Sequence, residues 1–253
     1  MLRTSGTLAV VAVTAALAQP LFAVEGQPHW SYAGSTGPTH WGTLEKDYSA
    51  CSSGKTQSPI DIRNAGVKTK GLPAVDFNYK ASPLKIIDNG HTIQINYAPG
   101  SFISVGDKRY ELVQFHFHRP SEERINGKRY AMVAHLVHKD SDGKLAVVAV
   151  LLARGKANPL IKTLWANLPK VKETESVLEA VRVNAADLLP KSKAYYTFAG
   201  SLTTPPCSED VTWFVMRHPT SISTDELTRF AKFYPMNARP TQALNGREVS
   251  ASK

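Results

Sequence analysis

No basic run in this 253-residue chain is longer than two residues. The net charge is +9, yet Lys and Arg are scattered along the chain rather than gathered with interleaved aromatics. A nucleic-acid partner is therefore not expected, and a solvated basic surface accounts for the charge. Internal repeats, low-complexity linkers and a phosphate-cradling glycine loop are also missing, as is the alternation of strand and helix patterns that marks a parallel α/β sheet. Past residue 23 no window is apolar enough to span a bilayer, which takes about 20 residues. Cysteine is scarce, with only Cys51 and Cys207.

The chain does have sixteen prolines and sixteen glycines, which favour turns and loops over a helical bundle. Its first 23 residues, "MLRTSGTLAVVAVTAALAQPLFA", carry one early arginine, an apolar run from Leu8 to Leu17 and no acidic residue before Glu25. That is the pattern of a secretory signal peptide, with cleavage after Ala18 or after Ala23. An exported protein with an even number of cysteines implies one disulfide, Cys51–Cys207; two separately buried thiols are the alternative. The bridge would close a loop of about 155 residues, and chain entropy puts its contribution at up to roughly 5 kcal/mol.

Residues 26–60 lack periodicity and read as an irregular N-terminal wrap. From Val75 onward short strand candidates recur between turn signals: "VDFNYK", "PLKIIDNG", "HTIQINYA", "SFISVG", "RYELVQFHFH", "YAMVAHLVHK", "KLAVVAVLLA" and, late in the chain, "SEDVTWFVM". Two helices are expected. "NPLIKTLWANL" has Asn158 as N-cap before Pro159. "STDELTRFAKF" has Ser223 and Glu226 in capping-box register. The expected fold is mainly β (α+β): one domain built on a large, twisted, mostly antiparallel sheet with a few short peripheral helices.

Within "QFHFH", alternation sends His116 and His118 to one face and Phe115 and Phe117 to the other. His135 follows on the next strand candidate. The "INGK" turn at 125–128 is a hairpin signal. Counting back from it places His118 opposite His135, with Cβ atoms about 5 Å apart and His116 diagonal, unless Pro120 shifts the register. Three imidazoles with an open fourth position suit catalytic zinc, which lowers the pKa of its water from about 15.7 to about 7. Satisfied core histidines are the bland alternative. A cupin-type metal site is another, since His116, His118 and Glu122 fit half of that motif. Against it, Tyr110 stands where a cupin needs glycine, and "RYAMVAH" lacks the Pro-x-Gly turn. A binding domain that has lost its metal is a third, but no histidine is missing.

"QFHFH", "AHLVHKD" and "SLTTPPC" at 201–207 resemble the α class of carbonic anhydrase in its bacterial, exported form. "HWSY", "QSPIDI", "NGHTIQI", "VTWFV" and "NARPTQ" extend the resemblance in order along residues 24–253. The resemblance implies reversible hydration of carbon dioxide to bicarbonate and a proton. It implies Zn2+ on His116, His118 and His135. Thr203 would accept a hydrogen bond from the hydroxide that zinc generates, and Glu122 would accept the Thr203 proton. Val137, Val147, Leu202 and Trp213 match the apolar pocket for carbon dioxide, and Thr204 helps to position bicarbonate. His91 matches the proton shuttle, with Tyr32, Asn89 and Gln94 ordering its waters. Gln114 matches the partner of His116. Where the family often has a glutamate serving the third ligand, this chain has Val133, so Glu123 is expected to reach His135 instead; a water or a backbone carbonyl at His135 is the alternative. No metal role is expected for His29, His40, His138 or His218. The expected compartment is the periplasm, with secretion as the alternative. Bacterial members commonly form homodimers, although no interface is legible in the sequence.

Overall fold

The computed structural model describes residues 30–253. The expected signal peptide, both cleavage sites and His29 lie outside the described residues. Among these residues thirteen strands join one twisted sheet. Its spine runs in the order Ser176–Val183, Ser82–Asp88, Ile93–Asn96, Lys108–His118, Met132–Lys139, Leu145–Arg154, Val211–Met216, Tyr195–Gly200, Val249–Ala251 and Val67–Thr69. The pairs from Ser176 to Arg154 are antiparallel. Leu145–Arg154 pairs in parallel with Val211–Met216 and Thr220–Ile222, and Val249–Ala251 does so with Val67–Thr69. The sheet is therefore mixed, with an antiparallel majority, in one domain.

Both faces of this sheet are covered, and each has its own apolar cluster. On one face Phe115, Phe117, Leu136, Val148 and Val150 pack with the helices Pro159–Ala166 and Thr224–Ala231. On the other, Val133, Val147, Ala149, Trp213 and Val215 pack with Ile60 at the end of the N-terminal wrap and with Ile62 just after it. This explains the unbroken apolar run in Leu145–Arg154, whose residues are buried on both sides. Both helices start as their sequences imply. Asn158 accepts from the backbone of Leu160 and Ile161, and Ser223 and Glu226 form a reciprocal capping box. Glu226 also accepts from the backbone of Asn158, which ties the two helix starts together.

The wrap of residues 30–60 holds only short helical turns, including Trp41–Leu44 and Ala50–Ser53. It is fastened by the Cys51–Cys207 disulfide, with Cα atoms 5.0 Å apart. Gly200 lets the wrap come this close, because a Cβ there would lie 2.2 Å from Ser58 Oγ. Ser58 and Ser201 then exchange two backbone-to-hydroxyl hydrogen bonds.

The hairpin count from "INGK" is corrected by the structure. Ile125 does pair with Lys128 across the turn. In the main sheet, however, His135 lies opposite His116, and Val133 lies opposite His118. Between these two ladders one arm of the hairpin uses five residues, 119–123, and the other only three, 130–132. The offset is two residues, an even number, so the histidines stay on a common face.

Candidate metal centre

His116 and His118 sit on the central strand Lys108–His118, and His135 on its neighbour. Their rings meet edge to face or tilted, with centroids 4.7–5.6 Å apart. One ligand nitrogen from each lies within 4.8 Å of the others.

The second nitrogen of each ring has an acceptor. His116 Nδ1 is 2.8 Å from Gln114 Oε1, and His118 Nδ1 is 2.7 Å from the carbonyl of Asn237. His135 Nε2 is 2.9 Å from Glu123 Oε1. Each acceptor fixes a tautomer by claiming the N–H. The nitrogens left with lone pairs are Nε2 of His116 and His118, and Nδ1 of His135. His118 Nε2 is buried and has no hydrogen-bond partner among the described residues. Burial, reinforced by the neighbouring imidazoles, holds His116 down to about 3 and His118 well below its ordinary value. Burial also pushes His135 downward, but the Glu123 carboxylate outweighs it and leaves His135 raised. Three imidazole nitrogens this close together, none of them claimed by the ring's own acceptor, are the donor set that zinc takes.

Two adjacent buried carboxylates close the base of the site. Glu123 serves His135, while Glu122 Oε1 accepts the backbone N–H of Arg239 at 2.7 Å. Glu122 also faces two of the rings, 3.6 Å from His118 Nδ1 and 3.8 Å from His135 Nδ1. Burial raises it to about 7 against the opposing pull of His135. The Thr203 hydroxyl acts on this carboxyl and lowers its pKa, although Glu122 Oε2 completes no hydrogen bond of full geometry.

The wall beside His135 is apolar. Val147 and Trp213 are buried in one cluster with half-buried Val137 and Leu202, and the Trp213 ring stands 5.0 Å from the His135 ring. Trp213 is pinned by its indole N–H, which donates to the carbonyl of Ser201. Thr203 and Thr204 lie on the loop 201–208, which is closed by hydrogen bonds from Leu202 N to Ser208 O and from Cys207 N to Thr204 O. Gln57 donates to the Cys207 carbonyl and holds the same loop from the wrap.

His91 lies at the Asn89-Gly90 turn, where Gly90 has φ +85° and Asn89 Oδ1 accepts from the backbone of His91 and Thr92. Its ring stacks on Trp30, with centroids 3.6 Å apart. Asn89 Nδ2 donates to Gln94 Oε1, and Gln94 pairs across the ladder with His116. Tyr32 packs edge-on against Trp30 and Trp41. Burial raises its hydroxyl pKa well above the usual value, and Glu122 adds to the rise.

Sequence reasoning assigned no role to Asn237, Arg239 or Trp30, although it quoted the segments that hold them. Asn237 holds His118 through its carbonyl, and its side chain accepts from Arg119 N and donates to the carbonyls of His91 and Phe117. Arg239 holds Glu122 through its backbone, and its buried guanidinium donates to Gln57, Ser58 and Cys51. A polar pair such as Asn-x-Arg in an otherwise loop-like segment was the available signal. His138 lies apart from the metal centre, buried against Tyr79, with Nε2 2.8 Å from the phenol oxygen.

Residues 36–253 match the family model described as eukaryotic-type carbonic anhydrase. The chain is 42% identical over 224 residues to "Carbonic anhydrase" of Nostoc sp., covering 87% of this chain and 85% of that one. Among solved structures it is similar to the α-carbonic anhydrase of Thermovibrio ammonificans in complex with the inhibitor sulfanilamide. That match has 41% identity and a TM-score of 0.85, over 88% of this chain and 98% of the other. A hyperthermostable carbonic anhydrase identified from a hydrothermal vent chimney gives 47% identity and a TM-score of 0.85, over 89% and 100%.

Proposed function

The chain belongs to the eukaryotic-type carbonic anhydrase family, and from that premise we propose how its residues divide the hydration of carbon dioxide to bicarbonate and a proton. The observation that carries the assignment is the trio of imidazoles whose ligand nitrogens converge while the second nitrogen of each is held by a separate acceptor. His116 and His118 through Nε2, and His135 through Nδ1, hold Zn2+. Zinc there supplies Lewis acidity that makes water nucleophilic near neutral pH.

Glu122 accepts a hydrogen bond from the Thr203 hydroxyl, so the threonine oxygen presents a lone pair to the attacking oxygen and fixes its orientation. Val137, Val147, Leu202 and Trp213 form a wall that suits a small molecule without a net dipole, and Thr204 positions the anionic product. His91 accepts the proton released in each cycle and passes it to buffer, since imidazole titrates near neutral pH. Tyr32, Asn89 and Gln94 order the intervening water. Gln114 and Glu123 keep the ligand tautomers fixed. The Cys51–Cys207 disulfide and the leader-like first 23 residues support export to the periplasm.

The test is carbon dioxide hydration paired with metal analysis before and after chelation. The reading requires one zinc per chain, loss of hydration on removal, and recovery on adding zinc back. Hydration that survives verified zinc removal contradicts it.

A further inference from the structure

Where residues 119–120 and 128–131 meet Ala153, Arg154 and Leu227, the surface opens into a cleft of about 620 Å³. Arg119, Lys128, Arg129 and Arg154 line it, and no acidic side chain does. None of these four cations forms an ion pair among the described residues. Arg129 stands directly across the short ladder from Arg124, a like-charge pair that destabilises a bare hairpin. Arg124 Nε is buried with no hydrogen-bond partner among the described residues.

Two carboxylates of this region, Asp61 and Glu122, are already engaged. Asp61, beside Arg124 in the ladder, binds Arg63 and the backbone of Gly127. Glu122 accepts from Arg239. The cleft also has an apolar side made of Pro120, Tyr130, Ala131 and Leu227, with Lys128 Nζ 5.0 Å over the Tyr130 ring.

We infer that this cleft is an anion site for a phosphomonoester dianion, with the organic part of the ligand against Tyr130. Guanidinium forks match phosphate oxygens in pairs, and a divalent anion offsets the charge that Arg119, Lys128, Arg129 and Arg154 bring to the cleft. The volume exceeds what a bare phosphate needs, and the apolar side gives the remainder a surface to cover. The site is separate from the metal centre, so it does not depend on the hydration mechanism.

The experiment is isothermal titration of the zinc-loaded protein with phenyl phosphate and, separately, with inorganic phosphate. The proteins compared are the wild type, a Lys128→Gln/Arg129→Gln variant, and a Lys108→Gln/Lys144→Gln variant of equal net charge. Melting curves confirm that all three are folded. The expected result is saturable binding that the Lys128→Gln/Arg129→Gln variant weakens by at least about tenfold and the charge control leaves near wild type. Phenyl phosphate binding tighter than inorganic phosphate assigns the organic part to the Tyr130 wall. Equal affinity in the wild type and the Lys128→Gln/Arg129→Gln variant places the anion elsewhere and overturns the inference, as does the absence of saturable binding.

Discussion

Glu123 reaches His135 across the hairpin loop, its carboxylate 2.9 Å from His135 Nε2, while the residue two before that histidine is Val133, which has no acceptor to offer. The carboxylate that orients this ring comes from the loop and not from the ligand's own strand.

Removing that carboxylate should loosen the metal. Glu123→Ala is expected to weaken zinc binding by about 10-fold to 100-fold, the usual cost of losing a ligand's orienting partner. Competition against a chelator measures it. Restoring an acceptor on the strand, as Glu123→Ala/Val133→Glu, should recover part of the loss. Unchanged zinc affinity in Glu123→Ala would mean that the contact orients nothing.

The disulfide joins the wrap to the loop that carries Thr203. Its reduction should destabilise the fold by up to roughly 5 kcal/mol on the chain-entropy account. Thermal melting with and without reductant, with thiol titration to verify the reduction, gives the comparison. An unchanged melting temperature counts against the role.

His91 is predicted to carry protons and not to bind substrate. His91→Ala should lower kcat at least about tenfold in a poorly permeant buffer while leaving kcat/KM close to wild type. Small imidazole buffers should restore kcat. A parallel fall in kcat/KM that imidazole does not repair would argue for a structural role.

His138 makes stability depend on pH. Burial pulls it down to about 4, although contacts to the backbone partly oppose the shift. The unfolded chain binds a proton there below about pH 6.5, and the folded chain only below about pH 4. Between those values the unfolded state holds more protons, so stability falls as pH is lowered. The contribution is about 2 kcal/mol between pH 7 and pH 5. Denaturant unfolding of wild type and His138→Gln at both pH values checks it: the variant should lose less on acidification. Equal losses would remove His138 as the cause.

The two faces of the QFHFH run were legible because successive side chains of a strand point to opposite sides, and both helix starts were legible because their caps are local chemistry. The register was not. It depended on how many residues each arm spends between two ladders, which the path of the chain around Pro120 decides. The strand Tyr195–Gly200 was passed over despite its aromatic, β-prone residues, and Ser176–Val183 because its exposed face blurs the pattern. Glu123 could be singled out because Val133 leaves a chemical need unmet. For Asn237 and Arg239 the Asn-x-Arg pair was a signal but their partners were not legible, since their hydrogen bonds reach residues more than 100 positions away.

The most direct measurement is a crystal structure of the zinc-loaded protein with anomalous data collected at the zinc edge. The account predicts one strong peak per chain, at bonding distance from Nε2 of His116, Nε2 of His118 and Nδ1 of His135, about 2.0–2.1 Å from each. A peak bound elsewhere, or a trio of imidazoles closed on each other with no ion between them in a protein shown to contain zinc, would contradict it.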